Sequence, residues 1–177
     1  PVANTLHKNF EIAKKNINVN KLTDAIELIK AGCGSKTSSV KIDPDYNSSI
    51  ESRLDDFNEG EDVSIITLQD IIEKYSIPMG SALKIDCEGC EYDIIENTPS
   101  DIISHFNHIQ IEYHAGYRNL KKKLEAIGYN VTTTEPHATD VVNSFFSKFR
   151  QTNSNLVKGK FGHKIGYTGF IFATKNN

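Results

Sequence analysis

Two short apolar runs, residues 82–87 (ALKIDC) and 109–113 (IQIEY), are separated by residues 88–108, which carry helical patterning from about 91 to 97 and a second helix start at Ser100. A hairpin closes over about two to five residues, so a connection of this length with helix inside it reads as the crossover of a parallel βαβ unit. That unit commits the chain to an α/β fold, because a parallel pair needs helices to cover its faces.

The rest of the chain keeps the alternation. Leu6, Phe10, Ala13 and Ile17 recur at helical spacing after the candidate N-caps Asn4 and Thr5, with Lys8, Glu11, Lys14 and Lys15 on the other side. Residues 25–31 (AIELIKA) read as a buried strand closed by a tight loop, Gly32-Cys33-Gly34. Residues 63–66 read as a short strand, after which Thr67 opens a helix with Asp70 placed for a capping box and Pro78 and Gly80 at its end. Leu120, Leu124 and Ile127 mark another amphipathic helix, stopped by Gly128, and residues 129–134 resume as strand.

Two segments interrupt this pattern. Between Asp43 and Asp62 eight acidic residues stand against a single arginine, Arg53, and the excursion reads as a solvated loop. Its Asp43-x-Asp45-x-Asn47 start is not an EF-hand, because Ser48 occupies the place of the turn glycine and Leu54 that of the bidentate glutamate. Residues 137–164 carry Lys148, Arg150, Lys158, Lys160 and Lys164 against Asp140, with Phe145, Phe146, Phe149 and Phe161 interleaved. They read as a basic insertion, either a lid over the substrate or a solvated loop, before a last strand at 167–174 that forms a hairpin with 129–134. A length of 177 residues fits one domain spanning 1–177.

Composition narrows the partners. No apolar run approaches the roughly 18 residues of a membrane-spanning helix, and a formal charge of -3 argues against a chain-wide field for nucleic acid. Cys33, Cys87 and Cys90 are too sparse, and odd in number, for a secreted disulfide framework, so a cytoplasmic location is expected. Cys87-x-x-Cys90 has thioredoxin spacing, but that chemistry needs an exposed thiol at a helix start, whereas Cys87 closes a buried strand. Two buried thiols are therefore expected.

The period of a strand puts Lys84, Asp86 and Glu88 on one face and Ile85 and Cys87 on the other. In the second run Ile109, Ile111 and Tyr113 share a face, and His108, Gln110, Glu112 and His114 share the opposite one. Open parallel sheets bind ligands beyond the carboxyl ends of their strands, so Asp86, Glu88, Glu112 and His114 form the candidate catalytic set at one rim. Any one of these acids alone is as well explained by a helix cap or a lysine partner; the convergence of four points to function. Like charges held close raise each other's pKa, which makes one carboxylate, or His114, a candidate general base. The same set offers oxygen and imidazole ligands to magnesium or manganese, an alternative that is not favoured.

The stretch LKIDCEGCE at 83–91, with VSIITLQDII at 63–72 before it and IQIEYH after it, resembles the FkbM-type S-adenosylmethionine-dependent methyltransferases. Their pattern of Lys-Ile-Asp-x-Glu-Gly-x-Glu is matched by Lys84, Ile85, Asp86, Glu88, Gly89 and Glu91, while Cys87 and Cys90 stand where small or β-branched residues are usual. The opening PVANTLHKNFEIAKKNINVN resembles the helix after the family's second strand, and AGCGSK the loop after the third. The resemblance covers residues 1 to about 134, with YTGFIFATK as the last strand. It implies a Rossmann-like class I methyltransferase sheet with a closing β-hairpin. That sheet's first two strands and glycine-rich cofactor loop are expected upstream of Pro1.

The activity so implied is transfer of a methyl group from S-adenosylmethionine to a hydroxyl of a small molecule or glycan. Asp86, Ala31 and Gly32 then fall at the cofactor, and Asp86, Glu88, Glu112 and His114 at the reacting groups. Two other readings stay open. One is a non-catalytic module that binds a glycan, lipid head group or protein through the rim and through Lys158 and Lys160; the other is a divalent-metal enzyme using the acidic rim.

Overall fold

The computed structural model describes residues 2–4, 7–42, 61–87, 89–138 and 167–175. Most of the acidic excursion, Glu88 and the basic insertion from residue 139 onward lie outside the described residues. The chain divides into two compact units, Pro1–Ser81 with Tyr92–His105, and Ala82–Glu91 with Phe106–Asn177.

In the first unit, β1 (Val2–Asn4) pairs in parallel with β2 (Leu28–Lys30), joined through α1 (His7–Val19). The helix half-buries Phe10, Ala13 and Ile17, the face its periodicity marks, and exposes Glu11, Lys14 and Lys15. The strand at its start was not expected: backbone pairing to β2, some 25 residues away, has no local signature. The strand expected at 25–31 is shorter than its apolar run. Ala25 and Ile26 donate their N–H groups to the Leu22 carbonyl, which keeps them in a turn and leaves only residues 28–30 extended.

Gly32 and Cys33 are likewise not loop. They form β3 (Gly32–Cys33), parallel to β5 (Glu61–Ile66), and β4 (Ser38–Ile42) lies antiparallel on the other side of β5. Val63 and Ile65 are buried here, with Val40 packed against them. The expected loop begins only at Gly34, whose N–H donates to the Ile66 carbonyl at 3.1 Å. A Cβ at Gly34 would stand 2.8 Å from Ile65 Cγ2, so the close approach itself requires glycine.

Helix α2 (Leu68–Lys74) begins as its sequence specifies. Thr67 Oγ1 accepts from the Asp70 N–H at 3.1 Å, and Asp70 Oδ2 accepts from the Thr67 N–H at 2.9 Å, a complete capping box. Helices α3 (Cys90–Asn97) and α4 (Ser100–Ile103) follow the expected starts and bury Ile94, Ile95 and Ile103.

The second unit is built on a sheet of order β6 (Ser81–Ile85), β7 (Phe106–Tyr113), β10 (Tyr167–Lys175), β8 (Tyr129–Thr133), with β9 (His137–Ala138) on β10. β10 runs antiparallel to both β7 and β8, aligning Ile171 with Ile111 on one side and with Thr133 on the other. The expected antiparallel pairing of the last two long strands is present, and β10 lies between β7 and β8. Residues 137–138, expected to begin the insertion, instead pair with Thr168 and Tyr167.

Helix α5 (Arg118–Ile127) buries Leu120 and Leu124 and ends at Gly128, which takes the left-handed conformation at φ 101°. Tyr129, the next residue, donates its buried hydroxyl to the Phe106 carbonyl at 2.6 Å, tying β8 to the start of β7. The sheets are mixed, parallel and antiparallel, within the expected α/β class. Among the described residues no helix is long and apolar enough to cross a membrane.

Candidate active site

The site lies in the second unit, where β6 runs out. Ile85 is buried, while Lys84 and Asp86 on the opposite face are exposed, as the period of two requires. Along β7 the same alternation buries Ile109, Ile111 and Tyr113 and leaves Gln110 and Glu112 half-buried.

Asp86, Glu112 and His114 each bring one oxygen or nitrogen to a common place, all within 4.8 Å of one another. Three of the four expected catalytic side chains thus converge, joining the end of β6 to the end of β7. Glu88, the fourth, lies outside the described residues. Ala31 and Gly32, expected at the cofactor, are buried in the first unit, with Gly32 in register with Ile65, and have backbone rather than side chain to offer a ligand.

Asp86 also accepts from Lys84 Nζ at 3.0 Å. With the lysine side chain 59% and the aspartate 38% exposed, the pair is screened by water and holds neither group firmly.

A further residue completes the site. Glu91, in the first turn of α3, is 0% exposed. A buried carboxylate is costly unless its lone pairs are used, and here they are. Oε2 accepts from the Gly89 N–H at 2.7 Å; Oε1 accepts from the His114 N–H at 3.1 Å and lies 3.0 Å from His114 Nδ1. Gly89 reaches this position at φ 112°, a conformation that favours glycine. With Nδ1 donating to Glu91, the ring orientation is fixed, and in the neutral imidazole the lone pair falls on Nε2. Sequence reasoning assigned Glu91 no role, although it closes the Lys-Ile-Asp-x-Glu-Gly-x-Glu pattern; its partner is 23 residues away.

The cysteines differ from expectation. Cys87 and Cys90 are joined by a disulfide rather than standing as two buried thiols. The strand ends at Ile85, two residues earlier than its apolar run suggests, so Cys87 falls in the turn that leads into α3 and faces Cys90 across it. Cys33 is free, and burial, reinforced by the negative charge of Asp93, pushes its thiol up to about 11. Asp93 also fixes the loop after β3, accepting from the Ser35 N–H and the Ser35 hydroxyl, each at 2.8 Å.

A strand-end carboxylate, a second carboxylate and a histidine aligned by a buried glutamate can hold a cationic group and accept a proton from a hydroxyl. Comparison with curated proteins and with solved structures finds no match. The pattern of the Methyltransferase FkbM domain matches residues 1–160, most of the chain, and the protein belongs to that family.

Proposed function

We propose that this methyltransferase moves a methyl group from S-adenosylmethionine to a hydroxyl oxygen of a small molecule or glycan, using the rim formed by Asp86, Glu112 and His114. The observation that carries the reading is the convergence of these three groups within 4.8 Å, in a chain of this family. The donor set suits the cofactor, because exposed Asp86 is a counter-charge for a sulfonium. When bound, S-adenosylmethionine supplies a methyl group on positively charged sulfur, and its transfer to a hydroxyl releases one proton.

Attraction between Asp86 and the sulfonium fades as the methyl group leaves, so it stabilises bound cofactor more than the transition state. Rate comes instead from positioning donor and acceptor and from removing the hydroxyl proton. Glu112 and His114 are the groups for that proton, with Glu88 as a further candidate. Glu91 holds the ring of His114 so that Nε2 is the accepting atom. A reducing compartment such as the cytoplasm, expected from the sparse cysteines, would open the Cys87–Cys90 bond beside this site.

Calorimetric titration of the full-length protein with S-adenosylmethionine and with S-adenosylhomocysteine tests the reading. The wild type should bind both. Asp86→Asn should weaken the sulfonium compound several-fold more than the neutral thioether and abolish transfer while retaining the wild-type circular dichroism. Wild-type turnover by Asp86→Asn, or no binding of either compound by the wild type, would overturn it.

A further inference from the structure

We infer that Asp86, Glu112 and His114 form a binding site for one divalent cation of the manganese type, with Glu91 as the residue that positions the imidazole. Donor atoms about 2.1 Å from a six-coordinate ion stand roughly 3.0 Å apart when adjacent and 4.2 Å when opposite. The three ligand atoms here lie within 4.8 Å of one another, so side-chain movements of at most about 1–2 Å close them on an ion.

Charge and ligand chemistry agree with the spacing. Two carboxylates at this separation repel each other, and Lys84, on an exposed stem, pairs with Asp86 alone among them. A dication neutralises both acids, and the exposed lysine can turn aside. Two carboxylate oxygens and one imidazole make a donor set that manganese accepts.

The second, independent observation is Glu91. A ligating histidine characteristically donates its other ring nitrogen to a carboxylate that fixes its tautomer and strengthens it as a ligand. Buried Glu91 stands 3.0 Å from Nδ1 and holds the His114 N–H as well. What the ion does in catalysis rests on the methyl-transfer reading: bound to the acceptor hydroxyl it would lower that group's pKa; Asp86, Glu112 and His114 would then serve as ligands rather than as counter-charge and bases, and the proton would leave to water. The binding itself does not rest on it.

The test is manganese binding to the chelator-treated full-length protein without cofactor, followed by loss of the free-ion electron paramagnetic resonance signal. One manganese per chain is expected, abolished in the double variant Asp86→Asn/Glu112→Gln and weakened about 10–100-fold in Glu91→Gln, with circular dichroism unchanged in each. An undiminished free-ion signal at millimolar manganese overturns the site. So does equal binding by the double variant, which would put the ion elsewhere, as on the acidic stretch between Asp43 and Asp62. S-adenosylhomocysteine titrated into the same sample in chelator tests the methyl-transfer reading separately; manganese bound without any cofactor binding would remove that reading and leave the cation site standing.

Discussion

Among single residues, the cysteines separate most clearly by environment. A thiol pushed up to about 11 is roughly 0.1% thiolate at pH 8, against about a quarter for an unperturbed one. Cys33 should therefore be alkylated some hundredfold more slowly in the native protein than in denaturant, and raising the pH toward 11 should close that gap. Thiol counting in denaturant should find one free group before reduction and three after, since Cys87 and Cys90 are bonded. Three free thiols in protein purified without reductant would contradict the bond.

The same scale shows where the sequence stops being readable. The convergence of Asp86, Glu112 and His114 was legible because each follows the two-residue period of its strand, Glu112 inside β7 and Asp86 and His114 one residue past the ends of β6 and β7. Glu91 was not, because its partners are a turn amide and a residue 23 positions on, a relation that only the folded chain creates.

Among elements, those with local chemistry were legible and those defined by distant pairing were not. Thr67 and Asp70 announce α2, Gly128 announces the end of α5, and apolar alternation announces β7. β1, β3 and β4 carry no comparable mark: β3 is two residues long and exists because β5 runs beside it.

The capping box of α2 lends itself to measurement. Thr67→Ala should lower stability by about 1 kcal/mol in denaturant unfolding. Hydrogen bonds from the Thr67 backbone, then from the Thr37 and Thr67 hydroxyls, hold the Asp70 carboxyl below its usual range. A carboxyl depressed in the folded state adds stability that is present above its unfolded pKa of about 4 and lost as pH falls through the lower folded value. Thr67→Ala should therefore be less acid-sensitive than the wild type below about pH 4, its deficit shrinking as Asp70 is protonated. A deficit that stays constant down to pH 2 would show that the Thr67 hydroxyl takes no part in holding the carboxylate.

At the scale of the whole molecule, the order of the chain sets the constraint. Neither unit is one continuous segment: the chain leaves the first at Ser81, returns to it for Tyr92–His105, and leaves again at Phe106. The groups of the candidate site inherit this weave, because Asp86 and Glu91 come from the short excursion Ala82–Glu91 and Glu112 and His114 from the later one. The sequence reads as a single run of alternating elements since strand and helix signals are local, whereas membership of a unit is decided by long-range packing.

A fragment of residues 82–177 consequently carries α3 and α4 without the first-unit residues they belong with, exposing Ile94, Ile95 and Ile103, all buried in the whole chain. Full exposure of three isoleucines forfeits about 1.5–3 kcal/mol each, comparable in sum with the 5–15 kcal/mol that holds an ordinary domain folded. The fragment should therefore bind a hydrophobic dye and lack a sharp thermal transition, although it contains every described residue of the rim. If it melts cooperatively and binds no dye, Tyr92–His105 does not depend on the first unit for its burial, and the division of the chain into interleaved units is wrong.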